Sequence, residues 1–381
     1  MGRGGAPDRR TAARRRRAGL FALVLVAAAS FAGGLALALG IDEPRRAAVD
    51  RLSIRELAGQ RVVLGLNGTS VPSAVRRLIR AGDAIGVILF ADNFPSRSAG
   101  RRLIAELQSI PRPAARRDPL LIMADQEGGL VKRISGAPNA SAEEMGARGP
   151  RYSREQGRLT ARNLRDVGVN VDLAPVLDVA RSGGEIEDTD RGFGSTAAAV
   201  RAAAIPFSQA MEVRGVASTA KHFPGFGAAR GNTDFGVQRI RLSRRTLRRV
   251  DMAPFGAFAR AGGDLVMLST AIYPAISGKP AAFSREIATR ELRVRLGFRG
   301  VSVTDALGTG AVRAFGGTAK AGLAAARSGV DMLLFSDYQS AGRVARALRR
   351  KLRAGALNRP RFEKSVGRVL RLRHRLGPDR G

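Results

Sequence analysis

Eight short, continuous apolar runs punctuate the chain, at 62–66, 85–90, 120–124, 169–174, 217–222, 265–269, 301–304 and 332–335. Between them lie stretches rich in Ala, Arg and Leu with helical periodicity, such as 73–81, 98–109, 153–167, 197–213 and 319–328. Uninterrupted apolar strands alternating with helices predict a parallel sheet covered on its faces. Eight such units within about 300 residues fit a (β/α)8 TIM barrel better than an open doubly wound sheet. No G-x-G-x-x-G motif opens the first helix, which weakens a dinucleotide-binding alternative.

The residues that end these runs form a pattern of their own. Run three ends in Asp125-Gln126-Glu127-Gly128-Gly129, run four in Pro175-Val176-Leu177-Asp178, and run seven in Asp305. Run five closes on Lys221-His222 and is broken at once by Pro224 and Gly225. Ionisable groups thus gather at the C-terminal ends of strands, the rim where barrels do chemistry.

Charge adds a second layer. Lys and Arg number 65 against 32 Asp and Glu, a net charge of +33, and only six of the cations are Lys. Such a balance predicts attraction to polyanions such as nucleic acid, anionic lipid or an acidic wall polymer. Residues 340–381 hold fourteen basic side chains against two acidic ones, read first as the solvated face of C-terminal helices. Phe362 is the lone aromatic there, so no stacking platform for single-stranded nucleic acid is visible, and a specific nucleic-acid partner is not expected. Cysteine is absent and only His222 and His374 occur, which argues against disulfides, thiolate chemistry and a multi-histidine metal site. No metal or organic cofactor is expected.

At the start of the chain, Arg14 to Arg17 precede 23 residues without charge, 18–40. That length spans a hydrocarbon core of about 30 Å, and the four arginines favour export of the chain beyond it. The expected organisation is a basic cytoplasmic tail at 1–17, a transmembrane or signal-anchor segment at 18–40, a linker at 41–50 and a barrel over 51–381. The barrel is thus expected at the cell membrane, outside the cytoplasm. Ala36-Leu37-Ala38 offers a cleavage site for the alternative, a secreted chain.

A lone carboxylate at a strand tip, Asp305, suits a nucleophile on an electrophilic carbon, though an Asp capping the next helix fits equally well. Asp125, Arg133, Arg191, Lys221 and His222 mix acceptors with donors, as a neutral polyhydroxylated ligand requires. A phosphate would instead favour glycine-rich amides at a helix start. Glu127 reads equally as a structural ion-pair partner.

The ordered segments Asp-Gln-Glu-Gly-Gly-x-Val-x-Arg (125–133), Asp-Leu-Ala-Pro-Val-Leu-Asp-Val (172–179), Asp-Arg-x-Phe-Gly (190–194), Lys-His-Phe-Pro-Gly (221–225) and Val-Thr-Asp-Ala-Leu-Gly (303–308) resemble glycoside hydrolase family 3. The likeness covers roughly 51–375 and is greatest to the single-domain β-N-acetylhexosaminidase branch that trims cell-wall glycans. It implies retaining hydrolysis of a terminal β-linked sugar with Asp305 as nucleophile, and places Asp125, Arg133, Arg191, Lys221 and His222 around that sugar. One loop departs from the pattern. Where that branch carries Asp-Ser-His, this chain has Asn232-Thr233-Asp234, and Phe226 replaces an earlier His. Either Asp234 is the acid/base with Asn232 as its orienter, or the barrel binds glycan without turning it over efficiently. The acidic stretch 185–190 is a further source of a carboxylate, read first as a solvated loop.

Overall fold

The computed structural model describes Met1 and residues 49–113 and 118–377. Its compact unit starts at Leu52. The basic tail beyond Met1, the run 18–40 and residues 41–48 of the linker lie outside the described residues. Among the described residues no helix is long and apolar enough to cross a membrane.

Eight parallel strands form one sheet: β1 (Val62–Gly65), β2 (Gly86–Ile88), β3 (Leu121–Ala124), β4 (Val171–Asp172), β5 (Ala217–Phe223), β6 (Leu265–Leu268), β7 (Val301–Thr304) and β8 (Leu333–Leu334). Each of the eight apolar runs coincides with one of these strands. The strands are uniformly buried, because helices cover the sheet outside while the strands face one another inside. Neighbours pair in chain order, β8 also pairs with β1, and a single bridge from Val303 to Met332 brings β7 against β8. At that seam the Thr304 hydroxyl accepts the Leu334 amide at 3.1 Å, so a side chain completes what the ladder leaves open. The result is a nearly closed eight-stranded barrel.

Each strand is followed by a main helix, with shorter ones such as Gly310–Ala314 in some of the loops: α1 (Ser73–Arg80), α2 (Arg97–Ser109), α3 (Ala142–Val167), α4 (Ala197–Glu212), α5 (Ala253–Arg260), α6 (Glu286–Arg295), α7 (Thr318–Ser328) and α8 (Tyr338–Arg353). Polar caps set where several begin. Ser141 and Glu144 form a reciprocal capping box at α3, and Thr196 and Asp337 cap α4 and α8.

A last helix, α9 (Arg359–Arg375), seals the N-terminal end of the barrel. Its Val369 and Leu372 join the cluster made by Val63, Met123, Val171, Leu265 and Val301. Arg368 pairs with fully buried Asp331 at 2.7 Å, and Arg373 donates to the carbonyls of Asp118 and Pro119. With that end plugged, the other end is left for a ligand.

Candidate active site

Past β3 the chain turns into a two-stranded ribbon, Gln126–Gly128 with Val131–Lys132. Buried Gln126 ties its base. The side-chain amide donates to the carbonyls of Ile134 and Ala137 at 2.8 Å, and Oε1 accepts the amides of Arg133 and Ile134. Asp125 and Glu127, two positions apart in extended chain, therefore share a face. Lys221 Nζ sits between them, 2.7 Å from Asp125 Oδ1 and 2.7 Å from Glu127 Oε1. Arg191 grips both oxygens of Glu127 at 2.8 Å, and Arg133 lies 3.7 Å from Asp125 Oδ2.

These pairings decide the charges. Burial alone would raise the Glu127 pKa, but Arg191 and Lys221 outweigh it and hold the carboxyl well below the ordinary range. Burial pulls the Lys221 ammonium down, and Asp125 and Glu127 more than reverse this. Both groups stay ionised. Asp172, at the end of β4, accepts the Gln126 amide at 3.0 Å, and burial raises its pKa well above the usual value.

Lys221 and His222 lie in an irregularity of β5, where three steps from Ala220 to Phe223 oppose two from Val266 to Leu268. Such a bulge re-aims side chains near a site. Fully buried Asp178 accepts the backbone amides of His222 and Phe226, and its Oδ2 lies 2.8 Å from His222 Nδ1. A carboxylate there places the imidazole proton on Nδ1 and fixes the ring.

Asp305 follows β7 directly, its amide bonded to the Leu268 carbonyl and its Oδ1 accepting the Ala306 amide at 2.7 Å. The next helix begins only at Gly310, with Thr309 at the cap position, so the helix-cap reading of Asp305 does not hold.

The loop after β5 turns at Gly225, whose φ is +127° and where a Cβ would meet Asp251 Cβ at 2.6 Å. Tyr273 donates to the Gly225 carbonyl at 3.0 Å. Asn232 Oδ1 accepts the Asp234 backbone amide at 2.8 Å while its Nδ2 donates to Glu185 at 3.2 Å. Asn232 thus fixes the backbone at Asp234, where the sequence reading had it orient the carboxyl. The carbonyls of Asp234 and Thr233 accept the amides of Gly310 and Ala311 at 2.8 and 3.2 Å. Asp234 is exposed at the rim, yet partial desolvation, and then the charge of Asp305, raise its carboxyl pKa.

All eight residues singled out from the sequence line one cavity of about 240 Å³ at the C-terminal end of the barrel. Three basic side chains there face four acidic ones, so the cavity is nearly neutral in a chain of +33. That balance suits a hydroxyl-rich neutral ligand better than an anion. The acidic stretch contributes none of the lining. Glu185 binds Asn232, and Glu187 accepts the Gly183 amide. His374 sits on α9, 3.5 Å from Asp118, at the far end. Among the described residues no group of three or more His, Asp or Glu is arranged to hold a metal ion. Sequence reasoning passed over Asp178 as a site residue, although its place at the end of run four was the available signal.

The Glycosyl hydrolase family 3 N terminal domain matches residues 53–372. The chain belongs to this family of glycoside hydrolases. It is 36% identical to an "Uncharacterized secreted glycosyl hydrolase" of Arthroderma benhamiae, over 84% of this chain and 93% of that protein. It is 35% identical to a "Beta-hexosaminidase" of Xylella fastidiosa, over 72% of this chain and 82% of the relative. A family 3 β-N-acetylglucosaminidase structure from Paenibacillus superposes with a TM-score of 0.82 at 32% identity, over 87% of this chain and 64% of that one. Family membership agrees with the fold and with the resemblance carried by the five segments.

Proposed function

We propose that this family 3 barrel is a retaining β-glycosidase that removes terminal β-linked N-acetylglucosamine, or a related glucoside, from cell-wall-type glycans. The observation that carries the reading is the meeting of Asp305 and Asp234, from separate elements, beside the hydroxyl-binding set in one nearly neutral cavity. The similarity to hexosaminidases supports the sugar.

In this mechanism Asp125, Lys221, Arg133, Arg191 and His222 hold the terminal sugar. The Asp305 carboxylate attacks the anomeric carbon while Asp234 gives its proton to the glycosidic oxygen, which leaves as an alcohol. Once Asp305 is esterified its charge is gone, and with it part of what raises the Asp234 pKa. Asp234 then accepts a proton from water, and the hydroxide formed attacks the anomeric carbon, releasing the sugar and freeing Asp305.

The test is turnover of an aryl and an alkyl β-N-acetylglucosaminide by the wild type, Asp305→Asn and Asp234→Asn. Asp305→Asn is expected to abolish both activities. Asp234→Asn should cost the alkyl substrate about 10²–10⁴-fold and the aryl substrate far less, since a phenolate leaves with little acid assistance. Its kcat on the alkyl substrate should also lose the fall at high pH that deprotonation of a general acid produces. Sugar binding without turnover of either substrate would instead support a glycan-binding barrel.

The uncharged run 18–40 behind four arginines supports anchoring at the cell membrane with the barrel outside the cytoplasm. Exposed Arg343, Arg346, Arg350, Arg353 and Arg361 on α8 and α9 support contact with an anionic wall polymer or lipid.

A further inference from the structure

Few large apolar side chains are exposed among the described residues, and their placement is uneven. Leu130, 73% exposed, precedes the cavity-lining Val131, and Phe235, 87% exposed, follows the cavity-lining Asp234. Val237, 41% exposed, lies two residues further along the same loop. Of the five such side chains beyond Met1 among the described residues, these three lie on two loops that contribute to the cavity, and Val213 and Val294 lie elsewhere.

Phe235 is held by its backbone although its ring is free. Its amide donates to the Asn232 carbonyl, and the preceding carbonyls of Asp234 and Thr233 are bound by Gly310 and Ala311. The carbonyl of Phe235 approaches Gly310 so closely that a Cβ there would lie 2.3 Å from it. An exposed ring on a pinned backbone is a pre-organised contact surface, which lowers the ordering cost of binding.

We infer that Phe235 is a specificity-determining residue that binds the leaving-group side of the substrate, stacking on the C–H face of a second pyranose. This rests on the glycosidase reading. The cavity of about 240 Å³ falls below the about 300–1,000 Å³ of sites for drug-sized ligands, so it holds one sugar and the next unit lies on the rim. In the glycosidase reading the bond to be cleaved lies between Asp305 and Asp234, which both line the cavity, so the leaving group emerges beside Asp234, whose neighbour is Phe235. The hydrogen-bonding Lys221 and Glu127 are buried, whereas Asp234 and Phe235 are exposed.

The experiment is equilibrium titration of the full chain carrying Asp305→Asn, which removes turnover, with N-acetylglucosamine and with its β-1,4-linked disaccharide. The disaccharide should bind about tenfold more tightly than the monosaccharide. Adding Phe235→Ala should erase that gain and leave the monosaccharide affinity in place, while Phe235→Trp should keep it. Since Phe235 is exposed, the substitution leaves the core intact. A disaccharide preference that survives Phe235→Ala overturns the inference, as does an equal loss for both sugars. Failure of either sugar to bind the Asp305→Asn chain overturns the reading of the substrate instead, and the inference falls with it.

Discussion

Glu127 takes the ion-pair role that its sequence left open beside a catalytic or binding one. Asp125 and Glu127 share one face of the extended chain, yet only Asp125 is left partly open to a ligand. Glu127, 4% exposed, is consumed by Arg191 and Lys221. The sequence showed both carboxylates and the cations, but the division of labour depends on which loop Arg191 arrives from. Removing one partner of a buried ion pair leaves the others uncompensated, so Glu127→Gln should destabilise the fold by about 3–5 kcal/mol. Urea unfolding measures this, and a loss below about 1 kcal/mol would show that water reaches Lys221 and Arg191. Asp178 carries the same lesson for His222, whose ring it fixes from beneath.

At the scale of elements, the loop from Phe226 to Phe235 was the least legible part of the site. It has no apolar period, and its anchor lies some way along the chain, in the amides of Gly310 and Ala311. Gly310→Ala tests that anchorage without altering a side chain of the cavity. The new Cβ would lie 2.3 Å from the Phe235 carbonyl, so the loop must shift and carry Asp234 with it. A displacement near 1 Å costs about 10²-fold in rate. The expected result is a loss of that order in kcat on an alkyl glycoside, with a much smaller loss on an aryl glycoside. Equal losses on both would mean that the loop serves sugar binding rather than proton transfer. Strands, by contrast, were readable because each is buried and so largely apolar, with polar residues such as Ser218, Thr219 and Lys221 of β5 as the exceptions.

For the whole molecule, the alternation of strand and helix gave the barrel. Its seam and its plug were hidden, because both depend on distant pairings such as Thr304 with Leu334 and Arg368 with Asp331. The basic C-terminal segment, read first as a solvated face, also buries Val369 and Leu372 in the barrel end and Arg373 beneath it. The end of α4 holds a pH-sensitive joint. Glu212 accepts from the Ser218 hydroxyl at 2.6 Å and from the Asp264 amide, and Asp264 in turn pairs with Arg375 of α9. Burial, then the Asp264 charge, push Glu212 up to about 7 from 4.5. A carboxyl raised in the folded state stabilises the fold below its unfolded pKa, and that stability is lost as pH rises through the folded value. The wild type should therefore lose about 2 kcal/mol between about pH 5 and pH 8, and Glu212→Gln should abolish most of that loss. Thermal unfolding across that range reads it, and an unchanged slope in the variant would assign the effect elsewhere.

The claim on which the mechanism rests is a covalent glycosyl–enzyme at Asp305. A fluorinated N-acetylglucosaminyl fluoride that forms this ester quickly and hydrolyses it slowly, followed by intact-mass and peptide-mass analysis, examines it directly. The account predicts one sugar added per chain, on the peptide containing Asp305, and none in Asp305→Asn. Labelling of another carboxylate, or hydrolysis with inversion at the anomeric carbon and no adduct, would contradict it.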